Sequence, residues 1–313
     1  MTDILDATST ADDVLGTVDL RGRRFLVTGI SSGVGAETAR ALVARGAAVV
    51  GTLRDPGKAD AAIADIRASA GPGGVLTPVV LDLASLASVR AGADKLLAEG
   101  APFDAIILNA GVMAAPFGRT VDSFETQFGT NHLGHFVFGN RLAPLLHKGG
   151  RLVVLSSNGH RGADVDLDDP NFEQTEYDPW LAYSRSKTAN SLFAVEFDRR
   201  HRGRGVRACA VMPGTSVTPL MRHLSQEAHN AVFGKIAADR AAAGVAPLVL
   251  KTVPQMAATS VWAAVIADAG DIGGRYLENC HVAAVDDIPG IRDGVMSYAL
   301  GTEPIKVAAR GIG

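Results

Sequence analysis

The stretch FLVTGISSGVG, running from Phe25 to Gly35, constrains this chain more than any other part of it. An apolar run (Phe25, Leu26, Val27) gives way to Thr28-Gly29, then Ser31-Ser32, then Gly33-Val34-Gly35, and the alanine-rich amphipathic segment AETARALVARG follows directly. The order is strand, glycine loop, helix. A second apolar run over 47–53 completes a βαβ unit of about 30 residues. Glycine suits such a loop because a pyrophosphate has to approach backbone N–H groups at a helix N-terminus. The helix dipole favours an anion there, and a Cβ would hold it away. Glycine-bearing βα turns are common, but here strand and helix both lie where a dinucleotide site needs them. The spacing, with glycines at 29, 33 and 35, is G-x-x-x-G-x-G rather than the commoner G-x-G-x-x-G.

The rest of the chain is consistent with one α/β unit built on that start. At 313 residues with 47% hydrophobic content it can bury a sizeable core. A net charge of −3 gives no basic excess for nucleic acid. Cys209 and Cys280 stand far apart with no metal spacing and read as small buried hydrophobes in a reducing, cytoplasmic compartment. The first twenty residues carry five aspartates and no basic residue, so they read as an N-terminal arm (1–20) and not as a signal peptide. No run of 18 apolar residues predicts a membrane span.

From residue 21 to 313 strands and helices alternate, which predicts a single Rossmann-type, doubly wound parallel sheet of about seven strands with helices on both faces. The candidate strands are 24–28, 47–53, 76–81, 104–108, 151–156, 206–212 and 275–277; the candidate helices are 35–45, 57–69, 85–98, 123–147, 183–202 and 254–267. The strands are almost wholly apolar, as when helices cover both faces. Two stretches break the alternation, 158–182 and 214–250. Both follow strand C-termini, the edge at which open α/β sheets bind ligands, and insertions there predict a substrate pocket. The apolar residues Leu220, Met221, Leu224, Val232 and Phe233 point to a hydrophobic, medium-sized substrate or to lid packing.

The end of the second strand discriminates between cofactors. An acid there binds a ribose 2′-hydroxyl and an arginine accommodates a 2′-phosphate. GTLRDPGK places Arg54 about twenty residues beyond the loop, and its donor fork suits phosphate, so NADP(H) is favoured; Asp55 taking the ribose of NAD(H) is the other reading. Asp82-Leu83 ends the third strand, where Asp82 either meets the adenosine or caps the helix that starts near Ser85. Asn109-Ala110-Gly111 ends the fourth strand with small residues that let the backbone approach the adenosine ribose.

The chemistry is predicted at Tyr183-Ser184-Arg185-Ser186-Lys187. Tyrosine and lysine four apart share one helix face. Free tyrosine titrates near ~10, too high for proton exchange at neutral pH, and a nearby ammonium would lower it, letting Tyr183 act as general acid or base. An ordinary helix with a surface lysine also has this spacing. Ser156-Ser157, ending the fifth strand, supplies a hydroxyl for the substrate oxygen, and Asn131 on the long helix completes an Asn–Ser–Tyr–Lys set.

These motifs resemble the short-chain dehydrogenase/reductase family: Thr28-Gly29 with Gly33 and Gly35, Asn109-Ala110-Gly111, Ser157, and Tyr183 with Lys187. The resemblance covers residues 22 to about 220, with recognisable character nearly to the C-terminus. It implies that Thr28, Gly29, Ser31, Ser32, Gly33, Val34, Gly35, Arg54, Asp82 and Leu83 hold the cofactor. Asn109, Ala110, Gly111, Pro213, Gly214 and Thr218 would complete that set, together with Tyr183 and Lys187. It implies that Ser157 polarises a carbonyl, that Tyr183 transfers the proton, and that Lys187 holds the nicotinamide ribose. Asn131 would position a water linking Lys187 to solvent. NHLGHF (131–136), VVLSSNGH (153–160) and FEQTEYDPWLAYSRSKTAN (172–190) are similar to the retinol dehydrogenase-like and WW-domain-oxidoreductase-like branch. One departure is Ser216, where the family commonly has valine. Homodimers or homotetramers through 123–147 and 183–202 are implied by analogy.

The expected activity is hydride exchange between NADP(H) and a carbonyl/alcohol pair on a small molecule. Reduction of a C=C bond of the protochlorophyllide-reductase kind, and a dinucleotide sensor or scaffold without turnover, are the alternatives. His132 and His135 have no partner at ligand spacing and predict packing, not metal. His160 is a candidate for the substrate pocket wall, as are Phe172, Tyr177 and Trp180. The basic run 199–207 fits a solvated helix C-terminus and not a nucleic-acid surface.

Overall fold

The computed structural model describes residues 5–216, 226–242, 244–290 and 293–301. A short helix α1 (Ala11–Leu15), capped reciprocally by Thr10 and Asp13, precedes strand β1 (Arg24–Thr28). Then come α2 (Gly33–Ala44), β2 (Ala48–Leu53), α3 (Asp60–Ala68), β3 (Val75–Val80), α4 (Leu86–Glu99) and β4 (Phe103–Leu108). A π-helical turn, Phe128–Leu133, runs into α5 (Gly134–Leu142), followed by β5 (Leu146–Leu155), α6 (Pro179–His201) and β6 (Arg207–Met212). The chain continues through α7 (Gln226–Ala242), α8 (Val253–Val261), α9 (Ala269–Ile272), β7 (Tyr276–Glu278) and β8 (His281–Val282).

The strands form one sheet in the order β3-β2-β1-β4-β5-β6-β7-β8, parallel throughout except for the antiparallel pair β7–β8. Strand order reverses between β1 and β4, which makes the crevice beyond their C-terminal ends the ligand edge of such a sheet. Successive strand residues bury into opposite layers. Phe25, Val27, Ile107, Val153 and Val211 join the layer of α1, α2 and α8, whereas Leu26, Ile106, Leu152, Val154 and Ala210 join that of α4, α5 and α6. The arm is part of this packing: Ala11 and Leu15 are fully buried, and Gln255 donates to the Thr8 carbonyl at 3.0 Å.

The expected sheet of about seven strands is found, with eight among the described residues because of the two-residue β8. Three details differ from expectation. The helix expected over 123–147 is the π turn plus α5 plus a 3-10 turn (Ala143–Leu145), because β5 begins at Leu146, five residues earlier than expected. The helix that carries Tyr183 and Lys187 starts at Pro179 and not at 183: Asp178 accepts the Leu181 N–H at 2.7 Å and proline occupies the first turn, a start signal present in the sequence. The insertion 214–250 holds a helix of its own, α7.

Candidate active site

A cavity of about 920 Å³ opens at the C-terminal ends of the strands. On the β1–β4 side its wall is the glycine loop and the start of α2. The three glycines there serve two different purposes. A Cβ on Gly29 would stand 2.8 Å from Ala110 Cβ, and one on Gly35 would collide with Asn109 Nδ2 and the Gly29 carbonyl oxygen. These two let the β1 and β4 tips close on each other. Gly33, with φ +60°, meets nothing within 4 Å and faces open space. Ser32, the α2 N-cap, makes no capping bond, so the first-turn amides of a twelve-residue helix open on the cavity. That donor set fits a pyrophosphate.

Thr28 does not line the cavity and is corrected from a cofactor contact to a fastening. It is fully buried. Its hydroxyl accepts the Asn109 and Ala110 N–H groups at 2.8 and 3.0 Å, and lies 2.9 Å from His135 Nε2. His135 Nδ1 lies 3.0 Å from the Asn131 carbonyl, which requires Nδ1 to carry the proton and Nε2 to accept from Thr28. Burial pushes the His135 imidazole down to about 3 and His132 to about 4, so both stay neutral; His132 packs between Phe128 and Phe136.

Ser31, Ser32, Val34, Asp82, Leu83, Asn109, Ala110, Gly111, Pro213 and Gly214 all line the cavity. Arg54 lines it too, exposed just past β2 and free of any ion pair among the described residues, whereas Asp55 faces Lys58 at 3.5 Å. Asp82 does not cap α4, whose N-cap is Ser85; its Oδ1 accepts the Ala84 N–H at 2.9 Å in the turn before that helix. Gly214, at φ +123°, is backed by the aliphatic stem of Lys251, which a Cβ would strike. Thr218, like Leu220, Met221 and Leu224, lies outside the described residues.

On the other side, the two serines ending β5 separate. Ser156 is buried, donating to the Lys187 carbonyl at 2.8 Å and accepting from Ser191 at 2.9 Å. Ser157 lines the cavity, and its Oγ accepts the Gly159 N–H at 3.0 Å. Tyr183 shares a hydrogen bond with the Ser157 side chain, and its ring packs so closely on Gly159 that a Cβ there would stand 2.7 Å from Cε1. Lys187, one turn along α6, is 5% exposed, reaches the Leu155 carbonyl at 3.1 Å and lies 5.7 Å from the Tyr183 ring centre. Asn131 is also brought to this end, but its side chain is committed: Oδ1 accepts the Val112 N–H at 2.8 Å, and Nδ2 donates to the Val112 carbonyl and to Ser186.

The electrostatics differ from the expected tuning. Burial pushes the Tyr183 phenol up to about 12, with the Ser157 hydrogen bond working against it, and burial pushes Lys187 down to about 8. In the protein alone desolvation outweighs the ammonium, so the phenol is held protonated.

His160 is the second correction. It is fully buried behind the cavity, with Nδ1 2.7 Å from the Ser157 carbonyl and Nε2 accepting the Met296 N–H at 3.1 Å. Burial pushes it down to about 4. Of the three aromatics expected in the wall only Trp180 lines the cavity, edge-on to Tyr183. Phe172 and Tyr177 pack on each other inside the loop.

Sequence reasoning missed several lining residues: Val112, Met113, Asn158, Arg161, and Ile236 of α7 beside the expected Val232 and Phe233. The Arg161 guanidinium, 1% exposed, donates to the carbonyls of Ile288 (2.6 Å) and Gly290 (3.0 Å) and ties the C-terminal segment to the turn after Ser157. No local pattern marks that role, because its partners lie more than a hundred residues away.

The family model described as short chain dehydrogenase matches residues 23–229. A probable oxidoreductase of Streptomyces lividans is 42% identical over 292 residues, 91% of this chain and 95% of that protein. Retinol dehydrogenase 13 of Homo sapiens is 37% identical over 263 residues, 82% of this chain and 76% of its own length. A short chain dehydrogenase from Burkholderia cenocepacia, solved in complex with NADP, superposes with a TM-score of 0.63 at 25% identity, covering 83% of this chain and 96% of that one.

Proposed function

Because the chain belongs to the short-chain dehydrogenase/reductase family, we propose that it interconverts a carbonyl and an alcohol on a hydrophobic small molecule, using NADP(H). The observation that carries this reading is the pairing of a buried, protonated Tyr183 with a cavity-facing Ser157, one helical turn from Lys187. Arg54, unpaired at the edge where an adenosine 2′-phosphate would lie, supports NADP(H) over NAD(H), as does the NADP complex of the Burkholderia relative.

When bound, the nicotinamide supplies or takes up the hydride at its C4. The chain's own residues do the rest. Ser157 donates its hydroxyl proton in a hydrogen bond to the substrate oxygen and fixes the carbonyl beside Tyr183. Tyr183 hands its hydroxyl proton to that oxygen as negative charge develops on it, and takes the proton back when an alcohol is oxidised. Lys187, still mostly charged at pH 7, binds ribose hydroxyls and favours the phenolate that Tyr183 becomes. Trp180, Met113, Val232 and Phe233 exclude water from the reacting centre and give apolar substrates their binding area.

The test is NADPH oxidation against aldehydes, ketones and quinones, run in parallel with NADH. Wild-type turnover that prefers NADPH, and that Tyr183→Phe lowers by at least about 10²-fold with NADPH binding retained, is the expected result. Equal rates for the two proteins would remove the role of Tyr183. Tight NADPH binding with no turnover on any carbonyl would favour the sensor.

A further inference from the structure

Asn158 is a buried polar side chain of the cleft whose amide oxygen has no hydrogen-bond partner among the described residues. It follows Ser157, opens the 3-10 turn Asn158–Gly162 and lines the cavity. Only 9% of the residue is exposed, its Oδ1 is shut off from solvent, and among the described residues its amide makes no hydrogen bond. The polar groups around it are all engaged: Ser157 Oγ with the Gly159 N–H, His160 through both ring nitrogens, and Arg161 through the carbonyls of 288 and 290. A buried amide left unpaired is unfavourable, and native structures satisfy such groups.

From this we infer that Asn158 is a specificity residue and that the substrate carries a second oxygen function, hydroxyl or carbonyl, on the carbon next to the reacting carbonyl. The inference rests on the carbonyl–alcohol reading above. Ser157 and Asn158 are consecutive, with Cα atoms about 3.8 Å apart, and both line the same cavity, so a group meeting Asn158 lies beside the carbonyl that Ser157 holds. The terminal torsion of asparagine is broad and two-fold, so the amide turns either Oδ1 toward a hydroxyl or Nδ2 toward a carbonyl. The substrate is therefore an α-hydroxy ketone or α-diketone, and the product a vicinal diol or hydroxy ketone, with an apolar remainder against Trp180, Val232 and Phe233. NADPH supplies the hydride to the reacting carbon and Tyr183 the proton to its oxygen. The second oxygen is bound and unchanged.

The experiment compares kcat/KM for 1-hydroxy-2-heptanone and for 2-heptanone in the wild type, in Asn158→Leu, which keeps the volume and removes both hydrogen-bonding functions, and in Asn158→Ala, which adds no bulk. The ratio of the two substrates cancels folding losses, and the change of that ratio between proteins cancels the intrinsic reactivity of the hydroxy ketone. The expected result is a ratio about tenfold or more lower in both variants, most of it in KM. A ratio unchanged within about twofold overturns the inference. If the wild type reduces neither ketone, the carbonyl reading fails separately, and binding of 1,2-heptanediol against 2-heptanol to the NADP-loaded protein decides for Asn158. A diol preference that Asn158→Leu abolishes upholds it; equal binding, or none, ends it.

Discussion

The two walls of the cleft are made of different material. Along the β1–β4 tips the wall is backbone: open amides of α2, a glycine loop, and two strand ends pulled together by Thr28, Asn109 and the absence of side chains at Gly29 and Gly35. Along the β5–β7 tips it is side chains carried on long connections: Trp180, Asn158, Arg161 and the inward residues of α7. Each wall is pinned from behind by one neutral, buried histidine with its proton on Nδ1. His135 serves Thr28, and His160 serves the Ser157 turn and residue 296. The difference teaches that a ligand of fixed chemistry is met by main chain, which tolerates almost no change, whereas a variable ligand is met by side chains that can be exchanged without moving the strands.

The sharpest way to break that contrast is Gly35→Ala. Its Cβ runs into the Gly29 carbonyl and the Asn109 amide, neither of which can retreat without opening the β1–β4 contact. NADPH affinity in a fluorescence titration should fall about a hundredfold, against about tenfold for Gly33→Ala, where the cost is a left-handed backbone and not a collision. Equal losses would mean that close packing of the tips is not what the glycines are for.

A smaller and opposite effect is expected from Asp169→Ala. The Asp169 carboxylate gathers the Glu173, Gln174 and Thr175 N–H groups at 2.6–3.1 Å and holds the loop that leads into α6, whose first turn carries Trp180. The carbonyl KM should rise by roughly tenfold, with the NADPH dissociation constant unchanged. A loss of NADPH binding would show that the two walls are not independent.

Acid should loosen both together. His132, His135 and His160 have folded pKa values of about 4, 3 and 4, below the ordinary 6.5. Between these values the unfolded chain binds more protons than the native one, so the stability they confer is present above pH 6.5 and lost as pH falls toward 4. Tm followed by circular dichroism should be flat from pH 7 to 8 and drop by roughly 10 °C on going from 6.5 to 4.5. His160→Gln should reduce the drop; a slope unchanged in that variant would assign the acid loss to other groups.

Much of the wall at the β1–β4 tips could be read from the chain, and much of the wall at the β5–β7 tips could not. The glycine loop, Arg54, Asn109-Ala110-Gly111 and Tyr183 with Lys187 are signals carried within a few residues. Strand, loop and helix follow each other there, and a helix brings positions four apart onto one face. Thr28 was read as a contact because its neighbours are contacts, although its side chain turns inward. His160 was read as pocket because it stands near Ser157, although the 3-10 turn carries it behind. The helix start at Asp178-Pro179 was legible and simply outweighed by the pattern around Tyr183.

By itself, then, the sequence determined the βαβ start, the alternation that makes a parallel sheet, and the placing of tyrosine and lysine on one helical face, because covalent geometry fixes those relations locally. Tertiary structure alone decided which aromatic forms the cleft wall, that α7 closes it, and that Asn158 is left without a partner among the described residues. It also decided that Tyr183 is held protonated by burial. Those outcomes depend on what packs against each residue from elsewhere in the chain, as Arg161 shows by binding Gly290 across 129 positions, and desolvation is set by the sum of such neighbours and not by any spacing.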